Sequence, residues 1–548
     1  MENRMNERKY VVGVDYGTLS ARAVLLDTAD GRELATAECV YAHGIMTERE
    51  ISGGEPKPTT ALQHPSDYLE ALSVTVKGVL LKAGVMPESV VGLCIDATAS
   101  TILPYLNDGT PLASQEGFEE NAEAYIKLWK HHGAEHIAER MTAAAKERGE
   151  EWLSDYGNTV SAEWFFPKLA EIAASSPEAY ASADVVAEAA EWLVERITGE
   201  RVKSACFAGY KSLWSTISGY PSAEYFSAAC PELDGVFSKL GDRVLPLGSI
   251  AGRINEAGEA ITGLKEGTVV ATPVIDAHAA LPSAKVTSDG ELMIIFGTSA
   301  CHILLSKENK PIKGICGKVD GGVVPGYYAY EAGQPCVGDM LAWFVENCLP
   351  ERYTAEAKRQ GVTIFDYLNS LAEGLEVGKS GLVALDWWNG NRSPYVDYNL
   401  SGMLVGLTMH TRPEEIYAAL IASIAFGTRQ LVELFDDGGI AVRRIVAGGG
   451  IAVKNRYFME TVADVLGREI FVSETKQTGA KGSAIYAAVA AGCYPSVGEA
   501  AEAMGDDCRT SYKPNPDKRG AYDKLYQIYL ELSQHFAASD IMKRLREI

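Results

Sequence analysis

Short apolar runs alternate with amphipathic stretches along the first part of the chain. The runs Tyr10–Val14, Ala23–Leu26 and Val90–Ile95 predict strands. The stretch Asp67–Leu81 predicts a helix, with Ser66 as its cap. This alternation is typical of an α/β domain.

The next part of the chain changes to a helical pattern. We interpret it as a helical insertion carried by the first domain. The predicted helices are Glu119–His131, Ala134–Arg148, Phe166–Ala174 and Ala187–Ile197.

A segment rich in Gly and Pro, Leu245–Gly267, separates this part from the rest and contains one short predicted helix, Glu256–Thr262. A predicted strand, Thr268–Ile275, then opens a second domain. At 548 residues the chain exceeds what one hydrophobic core usually supports. We therefore expect two domains, residues 9–263 and 264–548.

The second domain mixes strands and helices. Its longest segment has the apolar spacing of a core helix, and a strand near its end leads through three glycines into another helix. The predicted elements are the core helix Glu414–Phe435, the strand Ile445–Ala447, the helix Arg456–Leu466, and two last helices over 482–491 and 516–535.

Composition and charge exclude some functions. The net charge of −23, without a basic run interleaved with aromatic residues, argues against a nucleic-acid partner. Ten scattered cysteines fit free thiols in a reducing cytoplasm. The polar N-terminus lacks a signal-peptide core, and no apolar run is long enough for a bilayer. We expect a cytoplasmic protein without a membrane partner.

Two similar strand-and-turn segments lie about half a chain apart. In Val11–Arg22 a strand ends in Gly17-Thr18, and in Leu292–Ala300 a strand ends in Gly297-Thr298. Such a turn presents N–H groups and a hydroxyl to an anion without obstruction by a Cβ. The repeat favours two related domains that bind one polyphosphate.

Two further positions in these strand ends suit nucleotide chemistry. Asp15 can hold Mg²⁺ directly or through water, although an aspartate is also a common turn former. Gly448-Gly449-Gly450 follows a strand and precedes a helix, which allows close approach of adenosine or the α-phosphate. The same glycines are also consistent with a sharp turn alone.

Asp276 is the strongest candidate for chemistry, because it ends a strand and precedes a predicted helix. An acid in that position can accept a proton from a substrate hydroxyl, or it can simply cap the helix. Asp96 stands in the same local setting in the first domain. The pattern alone does not decide which aspartate is the base.

Three other patterns have simpler structural explanations. Gly374–Ser380 is similar to a phosphate-binding P-loop but has one residue too few between its glycines and follows a helical segment. His132 and His136 have helical spacing without a third metal ligand. Trp387 and Trp388 are typical of a core.

The order of these motifs resembles the FGGY carbohydrate kinases. The order is Asp-x-Gly-Thr, Ile-Asp-Ala-His-Ala, Phe-Gly-Thr-Ser and Gly-Gly-Gly, and the resemblance extends from about residue 9 to 500. Five stretches carry the closer match: Ile95–Thr101, Gly209–Trp214, Ile275–His278, Leu385–Ser393 and Leu400–Leu404.

The resemblance implies two actin/hexokinase-like (ribonuclease-H-like) α/β domains with a cleft that binds MgATP and a sugar. It implies that Asp276 is the general base and Asp15 the magnesium-associated acid. The other implied contacts are Gly17, Thr18, Ser20 and Arg22 on one phosphate loop, Gly297 and Thr298 on the other, Gly448, Gly449 and Asn455 at the adenosine, and Ala99, Lys211, Asp276 and Glu331 at the sugar.

Within the family the sequence is most similar to bacterial kinases of L-ribulose, which implies phosphorylation at O5 to give L-ribulose 5-phosphate in arabinose catabolism. Ala99-Ser100 replaces the Arg-Glu pair of glycerol kinases and the Met-His pair of xylulose kinases, which argues against those substrates. The segment Gly450–Asn455 is longer than the usual family loop.

Several alternatives stay open at this stage. The substrate could be another pentulose or pentitol, such as D-ribulose or ribitol. A non-sugar ATPase like actin or the heat-shock chaperones would share the paired Gly-Thr loops. The resemblance also suggests a homodimer.

Overall fold

The computed structural model describes residues 8–241 and 243–547. The chain forms two compact units that are not consecutive segments. Of the described residues, the first unit contains those up to Ser288 together with Lys318–Ala329 and Thr475–Asp506. The second contains Asp289–Gly317, Tyr330–Glu474 and the described residues from Asp507 onward. The consecutive domains 9–263 and 264–548 do not coincide with these units and remain a proposal about the organisation of the chain.

The strands group into a main sheet in each unit and several small sheets. Their bounds are β1 (Tyr10–Tyr16), β2 (Ser20–Asp27), β3 (Glu33–Val40), β4 (Leu62–Gln63), β5 (Val90–Ala97), β6 (Ile102–Tyr105), β7 (Ile126–Lys127), β8 (Val185–Glu188), β9 (Lys203–Ser204), β10 (Val244–Leu245), β11 (Ile250–Arg253), β12 (Val269–Ala271), β13 (Val274–Ile275), β14 (Glu291–Phe296), β15 (Ala300–Ser306), β16 (Gly317–Asp320), β17 (Tyr328–Gln334), β18 (Val383–Leu385), β19 (Met403–Val405), β20 (Arg444–Gly448), β21 (Ile470–Val472) and β22 (Thr510–Tyr512).

The helices pack around these sheets. Their bounds are α1 (Glu48–Ser52), α2 (Pro65–Ala83), α3 (Glu135–Arg148), α4 (Phe165–Ser175), α5 (Pro177–Ser182), α6 (Ala189–Thr198), α7 (Ala205–Lys211), α8 (Ala223–Ala229), α9 (Glu256–Thr262), α10 (Asp276–Ser283), α11 (Gly338–Asn347), α12 (Glu351–Gln360), α13 (Ile364–Glu373), α14 (Pro413–Asp437), α15 (Gly449–Lys454), α16 (Arg456–Leu466), α17 (Thr478–Ala490), α18 (Val497–Met504), α19 (Pro516–Ala538) and α20 (Ile541–Glu547).

The main sheets of the two units have the same strand order. In the first unit the order is β3-β2-β1-β5-β12-β11, and in the second it includes β17-β15-β14-β20-β21-β22. In both, a central antiparallel hairpin (β1–β2 or β14–β15) is followed by two parallel pairings and a last antiparallel strand. The predicted repeat of two strand-and-turn segments is therefore confirmed, because each segment is the hairpin of its own sheet.

The central strands are apolar because both faces of these sheets are covered. Val11, Val12 and Val14 of β1 have no exposed surface. Helix α17 lies so close to β1 that a Cβ built on Gly13 would be 1.8 Å from the carbonyl oxygen of Ala480. Only glycine at position 13 permits this approach.

The helical insertion is confirmed in part. Helices α3, α4 and α6 form near their predicted bounds. The apolar faces of α3 and α4 share one core with the aromatic residues that surround them. The predicted helix Glu119–His131 is wrong. Its residues form a short 3-10 turn at Ala122–Ala124 and the strand β7, which pairs with β4 and β6. Strand pairing here overrides the local helical pattern.

Two other predicted elements have different bounds. Helix α2 begins at Pro65 with His64 as its cap, so Ser66 lies inside the helix. The predicted strand Thr268–Ile275 is divided into β12 and β13, because Pro273 between them has no N–H for the ladder.

One helix among the described residues, α14, is long and apolar enough by composition to cross a membrane. Its residues from Ala419 to Thr428 are buried in the second unit. This burial is the ordinary property of a core helix, as the sequence pattern predicts.

Candidate active site

Three aspartates lie at the carboxyl ends of neighbouring parallel strands in the first unit. Asp15 of β1 stands opposite Asp96 of β5 in register. Val274 of β13 pairs with Asp96, and Asp276 follows that strand directly as the first residue of α10. Since the carboxyl ends of parallel strands meet at one edge of a sheet, this edge concentrates acidic groups.

Asp15 and Asp96 form a close pair of carboxyl groups. A Cβ on Gly479 of α17 would be 3.0 Å from Oδ1 of Asp96 and 3.1 Å from the carboxyl carbon of Asp15, so both carboxyls lie against this glycine. Burial raises the pKa of Asp96 well above its ordinary value, and the charge on Asp15 raises this pKa further. Burial also raises the pKa of Asp15. Burial and the charge on Asp15 favour the neutral form of Asp96 more than that of an exposed aspartate.

The environment of Asp276 differs from that of Asp96. Asp96 has no exposed surface, and its Oδ2 accepts a hydrogen bond from the Ser483 hydroxyl at 2.6 Å. Asp276 is half-buried, and its Oδ1 accepts the N–H of Ala277 at 2.7 Å. The Asp276 carboxylate is therefore the one that solvent can reach, although it also binds the first turn of α10.

The Gly17-Thr18 turn joins β1 to β2. The N–H of Gly17 donates to the carbonyl of Ser20 at 3.0 Å. The hydroxyl of Thr18 accepts a hydrogen bond from the Trp129 indole at 3.2 Å. These two hydrogen bonds fix the shape of the turn, and its contact with a phosphate stays a prediction.

Ser20 and Arg22 bind an acidic residue of the neighbouring strand. The Ser20 hydroxyl and Nε of Arg22 donate to the same oxygen of Glu38 on β3, at 2.9 and 3.0 Å. The structure therefore places these two side chains beside Glu38, and their contact with ATP stays a prediction.

The predicted sugar residues divide between the two units. Ala99 lies in the loop after β5 and Lys211 is the last residue of α7, both partly exposed in the first unit. Glu331 lies in β17 of the second unit and is buried. Their common role at one sugar stays a prediction.

In the second unit, the Gly297-Thr298 turn adjoins two other backbone segments. The N–H of Gly338, at the start of α11, donates to the carbonyl of Gly297 at 3.0 Å. Gly449 has a φ of +88°, and a Cβ there would be 2.3 Å from the carbonyl oxygen of Phe296. Three glycine-containing turns therefore meet at the end of β14, and Thr298 is exposed at this point.

The remaining adenosine candidates lie at the start of two helices. Gly448 is the N-terminal cap residue of α15, which begins at Gly449. Asn455 caps α16, because its side-chain oxygen accepts the N–H of Phe458 at 3.0 Å. The cap gives Asn455 a structural role, and its contact with a nucleotide stays a prediction.

The structure supports the simpler explanations for Gly374–Ser380 and for Trp387, and the predicted helical spacing of His132 and His136 is wrong. Gly374–Ser380 follows helix α13 and no strand. His132 precedes α3, so it has no helical spacing to His136. Trp387 is buried and packs edge-on against Tyr395. Within the described ranges, no group of three or more His, Cys, Asp or Glu side chains has the arrangement of a metal site.

Sequence reasoning did not find two glycines of these sites. Gly479 and Gly338 matter because other backbone or carboxyl groups lie against them, and neither stands in a recognisable motif. A helix that begins with glycine, as α11 does, is the only local signal for Gly338.

A duplicated sheet with this strand order, a Gly-Thr hairpin in each copy and acids at the strand ends defines the class of two-domain actin/hexokinase-like enzymes. Models of the FGGY family of carbohydrate kinases match the chain, with the N-terminal domain over residues 10–282 and the C-terminal domain over residues 292–491. The chain belongs to the FGGY family of carbohydrate kinases. It is therefore a carbohydrate kinase that uses ATP and acts on a small sugar.

Similar proteins agree with this assignment. The chain is 43% identical over 547 residues to a ribulokinase of Anoxybacillus flavithermus, with 98% of this chain and 97% of that protein covered. It is 42% identical to a ribulokinase of Mycolicibacterium smegmatis, with 98% and 96% covered. The fold is similar to the crystal structure of a xylulose kinase from Rhodospirillum rubrum, with a TM-score of 0.79, 23% identity, and 96% of this chain and 100% of that chain covered.

Proposed function

We propose that this kinase transfers the γ-phosphoryl group of ATP to O5 of L-ribulose and forms L-ribulose 5-phosphate. The bacterial relatives that support the proposal are ribulokinases aligned over nearly their whole length. The pair Ala99-Ser100 supports it as well, since glycerol and xylulose kinases differ there. The central observation is the accessible carboxylate of Asp276 beside Asp96, which is fully buried and whose pKa this burial raises.

In this proposal Asp276 is the general base. Its carboxylate accepts the proton of the sugar hydroxyl as the oxygen attacks the γ-phosphorus in line. Asp96 is not assigned this role, because it has no exposed surface for a sugar hydroxyl to reach. The hydrogen bond from Ala277 fixes the direction of the Asp276 carboxylate.

The phosphates of ATP are assigned to the glycine turns. Gly17 and Thr18 would bind them in the first unit, with Ser20 and Arg22 beside that turn. Gly297 and Thr298 would bind them in the second unit, and Gly448, Gly449 and Asn455 would contact the adenosine. Backbone N–H groups and a hydroxyl at such turns stabilise the charge of the transferring group.

Magnesium fits the acidic edge of the first unit. Oδ1 of Asp96 is buried without a hydrogen-bond partner among the described residues, and Asp15 lies beside it. Mg²⁺ is usually held by one or two carboxylates, waters and the substrate phosphates. We assign the ion to Asp15, where it would offset negative charge on the phosphates.

The sugar hydroxyls are assigned to Lys211 and Glu331, with Ala99 at the sugar loop. A polar group that expects a hydroxyl disfavours a sugar without it, at roughly 1–3 kcal/mol per unpaired group. We further propose a cytoplasmic protein, a homodimer, and no nucleic-acid or membrane partner. The chain's strongly acidic charge supports the absence of nucleic acid.

A coupled assay of ADP release tests the proposal directly. The purified protein is assayed with MgATP against L-ribulose, D-ribulose, ribitol, D-xylulose and glycerol. L-Ribulose is expected to have the highest kcat/KM, and the product should carry phosphate on O5 by ³¹P NMR. Preference for D-ribulose or ribitol would replace L-ribulose with that acceptor, and ADP release independent of any acceptor would contradict the proposal.

A further inference from the structure

A buried lysine in the helical insertion binds backbone carbonyls near both predicted ligand sites of the first unit. Lys168 of α4 has no exposed surface. Its ammonium donates to the carbonyl of Ser100 at 2.7 Å, to that of Leu128 at 2.7 Å and to that of Trp129 at 3.2 Å. An ammonium group has three protons, so these contacts use all of them.

The first of these carbonyls belongs to the predicted sugar loop. Ser100 follows Ala99 directly and has a φ of +53°, a left-handed conformation that costs free energy for a residue with a Cβ. Such strain persists only where the surroundings hold it. The Ser100 hydroxyl is buried without a hydrogen-bond partner among the described residues, so it does not supply the restraint.

Hydrogen bonds of the residues on either side of Ala99-Ser100 restrain this loop. The hydroxyls of Thr98 and Thr101 bond each other at 2.8 Å, and the N–H of Thr101 donates to Glu188 at 3.0 Å. The contact with Lys168 is the one that reaches the carbonyl of the strained residue itself.

The third carbonyl leads to the predicted phosphate turn. Trp129, whose carbonyl accepts from Lys168, donates its indole N–H to the hydroxyl of Thr18 at 3.2 Å. The same ammonium therefore fixes two backbone positions. One is Ser100 in the strained sugar loop, and the other is Trp129, whose indole binds the phosphate turn. A neutral amide or alkyl group would not satisfy three carbonyls at once.

We propose that Lys168 is a positioning residue for the phosphoryl transfer, which holds the Ala99-Ser100 backbone in the strained conformation that the sugar requires. It acts through the loop and does not touch the reacting atoms. The inference rests on the proposed function, because it takes Ala99 as a sugar contact.

Charged groups around Lys168 determine its response to pH. Burial, together with the charge on Lys127, lowers the pKa of Lys168 to about 7 against the opposing effect of Glu163, Glu188 and Glu171. Its ammonium should therefore lose a proton near neutral pH, and the hold on the Ser100 carbonyl weakens as it does.

The first test is steady-state kinetics of Lys168→Met, which keeps an unbranched side chain and removes every donor. The KM for the sugar should rise roughly ten- to a hundred-fold, the scale of one lost hydrogen bond to a charged group. The KM for ATP should change less than three-fold. The matched control is Lys127→Met, another buried lysine of this unit, which is paired with Glu123 and Glu171 and makes no bond to the sugar loop.

A purely structural role predicts something else. Lys168→Met would then lower the thermal midpoint as Lys127→Met does, while both KM values stayed at the wild-type level, and this result would overturn the proposal. If Lys168→Met fails to fold, Lys168→Gln, which keeps two N–H donors in a neutral amide, replaces it. The sugar KM of that variant should rise with the ATP KM unchanged, and a sugar KM at the wild-type level would overturn the proposal.

The proposed function and this inference fail in different ways. A wild-type protein that does not phosphorylate L-ribulose contradicts the proposed function, and the Lys168 test is then run with the acceptor that is phosphorylated. A wild type active on L-ribulose whose sugar KM is insensitive to Lys168→Met contradicts only the inference.

Discussion

Burial raises the pKa of two acids beside the candidate active site above those of exposed acids. Burial, together with the charge on Glu191, raises the pKa of Glu188 to about 8. Burial likewise raises the pKa of Asp96. Glu188 accepts the N–H of Thr101 beside the sugar loop, and Asp96 lies beside Asp15. Asp276, unlike Glu188 and Asp96, is partly exposed.

The raised pKa of Glu188 predicts a pH dependence of stability. Between about pH 4.5 and 8 the folded protein keeps this proton and the unfolded chain does not, so stability falls as the pH rises through this window. Glu188→Gln has no proton to lose and should be relatively more stable at pH 8 than at pH 5, by on the order of 3 kcal/mol relative to wild type.

Thermal unfolding of wild type and Glu188→Gln at pH 5, 6, 7 and 8 measures this difference. Glu139→Gln, an exposed position of α3, is the control and should follow the wild type. Parallel curves for wild type and Glu188→Gln would show that Glu188 is ionised in the folded state.

At the level of single residues, the sequence identifies candidate site residues among the acids and glycines, but it does not show which groups surround them. Asp15 and Asp276 stand out because each ends a strand. The raised pKa of Asp96 and the three carbonyls bound by Lys168 carry no sequence signal, because a backbone acceptor is present at every residue and only the fold brings particular ones together. The local pattern does not distinguish Asp96 from Asp276, because it does not reveal the difference in their burial.

At the level of elements, the contact of α17 with β1 positions the acidic edge. Gly13 allows the helix to lie on the strand, and Gly479 lies against the carboxyls of Asp15 and Asp96. A side chain at either glycine would move the helix away from the sheet and change the distance between the two acids.

Gly13→Ala should therefore destabilise the first unit. Its Cβ would collide with the backbone of Ala480, and overpacking of this kind typically costs 1–3 kcal/mol or more. Calorimetry should show a lower midpoint. Gly520→Ala is the control, because this glycine is exposed inside α19 with open space around it, and alanine there should stabilise by roughly 0.5–1 kcal/mol. An unchanged midpoint for Gly13→Ala would contradict the close packing of α17 on β1.

The sequence predicts most elements of the two sheets but fails where tertiary pairing decides. The hairpin strands, α2, α14 and α16 follow their apolar periodicity closely. Residues 119–131 form a turn and a strand because β7 pairs with β4 and β6. In this position the buried Lys127 forms ion pairs with Glu123 and Glu171. A periodic pattern does not show such pairings.

At the level of the whole molecule, the two units repeat one sheet topology with different insertions. The repeat is visible in the sequence only at the Gly-Thr turns, since the rest of each sheet shares strand order and not residues. The first unit has gained the helical insertion that contains Lys168, and the accessible acid Asp276 lies in the same unit. The proposed chemistry thus depends on one carboxylate in a fold that the family uses for several sugars.

The most direct test of this account compares the kcat of Asp276→Asn with the kcat of Asp96→Asn. The ATP affinity of both variants is measured by calorimetry. Loss of the general base should lower the kcat of Asp276→Asn roughly 10²–10⁴-fold with ATP binding retained. Asp96→Asn, which changes an acid without exposed surface, should lose less. Near wild-type turnover in Asp276→Asn together with an inactive Asp96→Asn would contradict the assignment of Asp276 as the base.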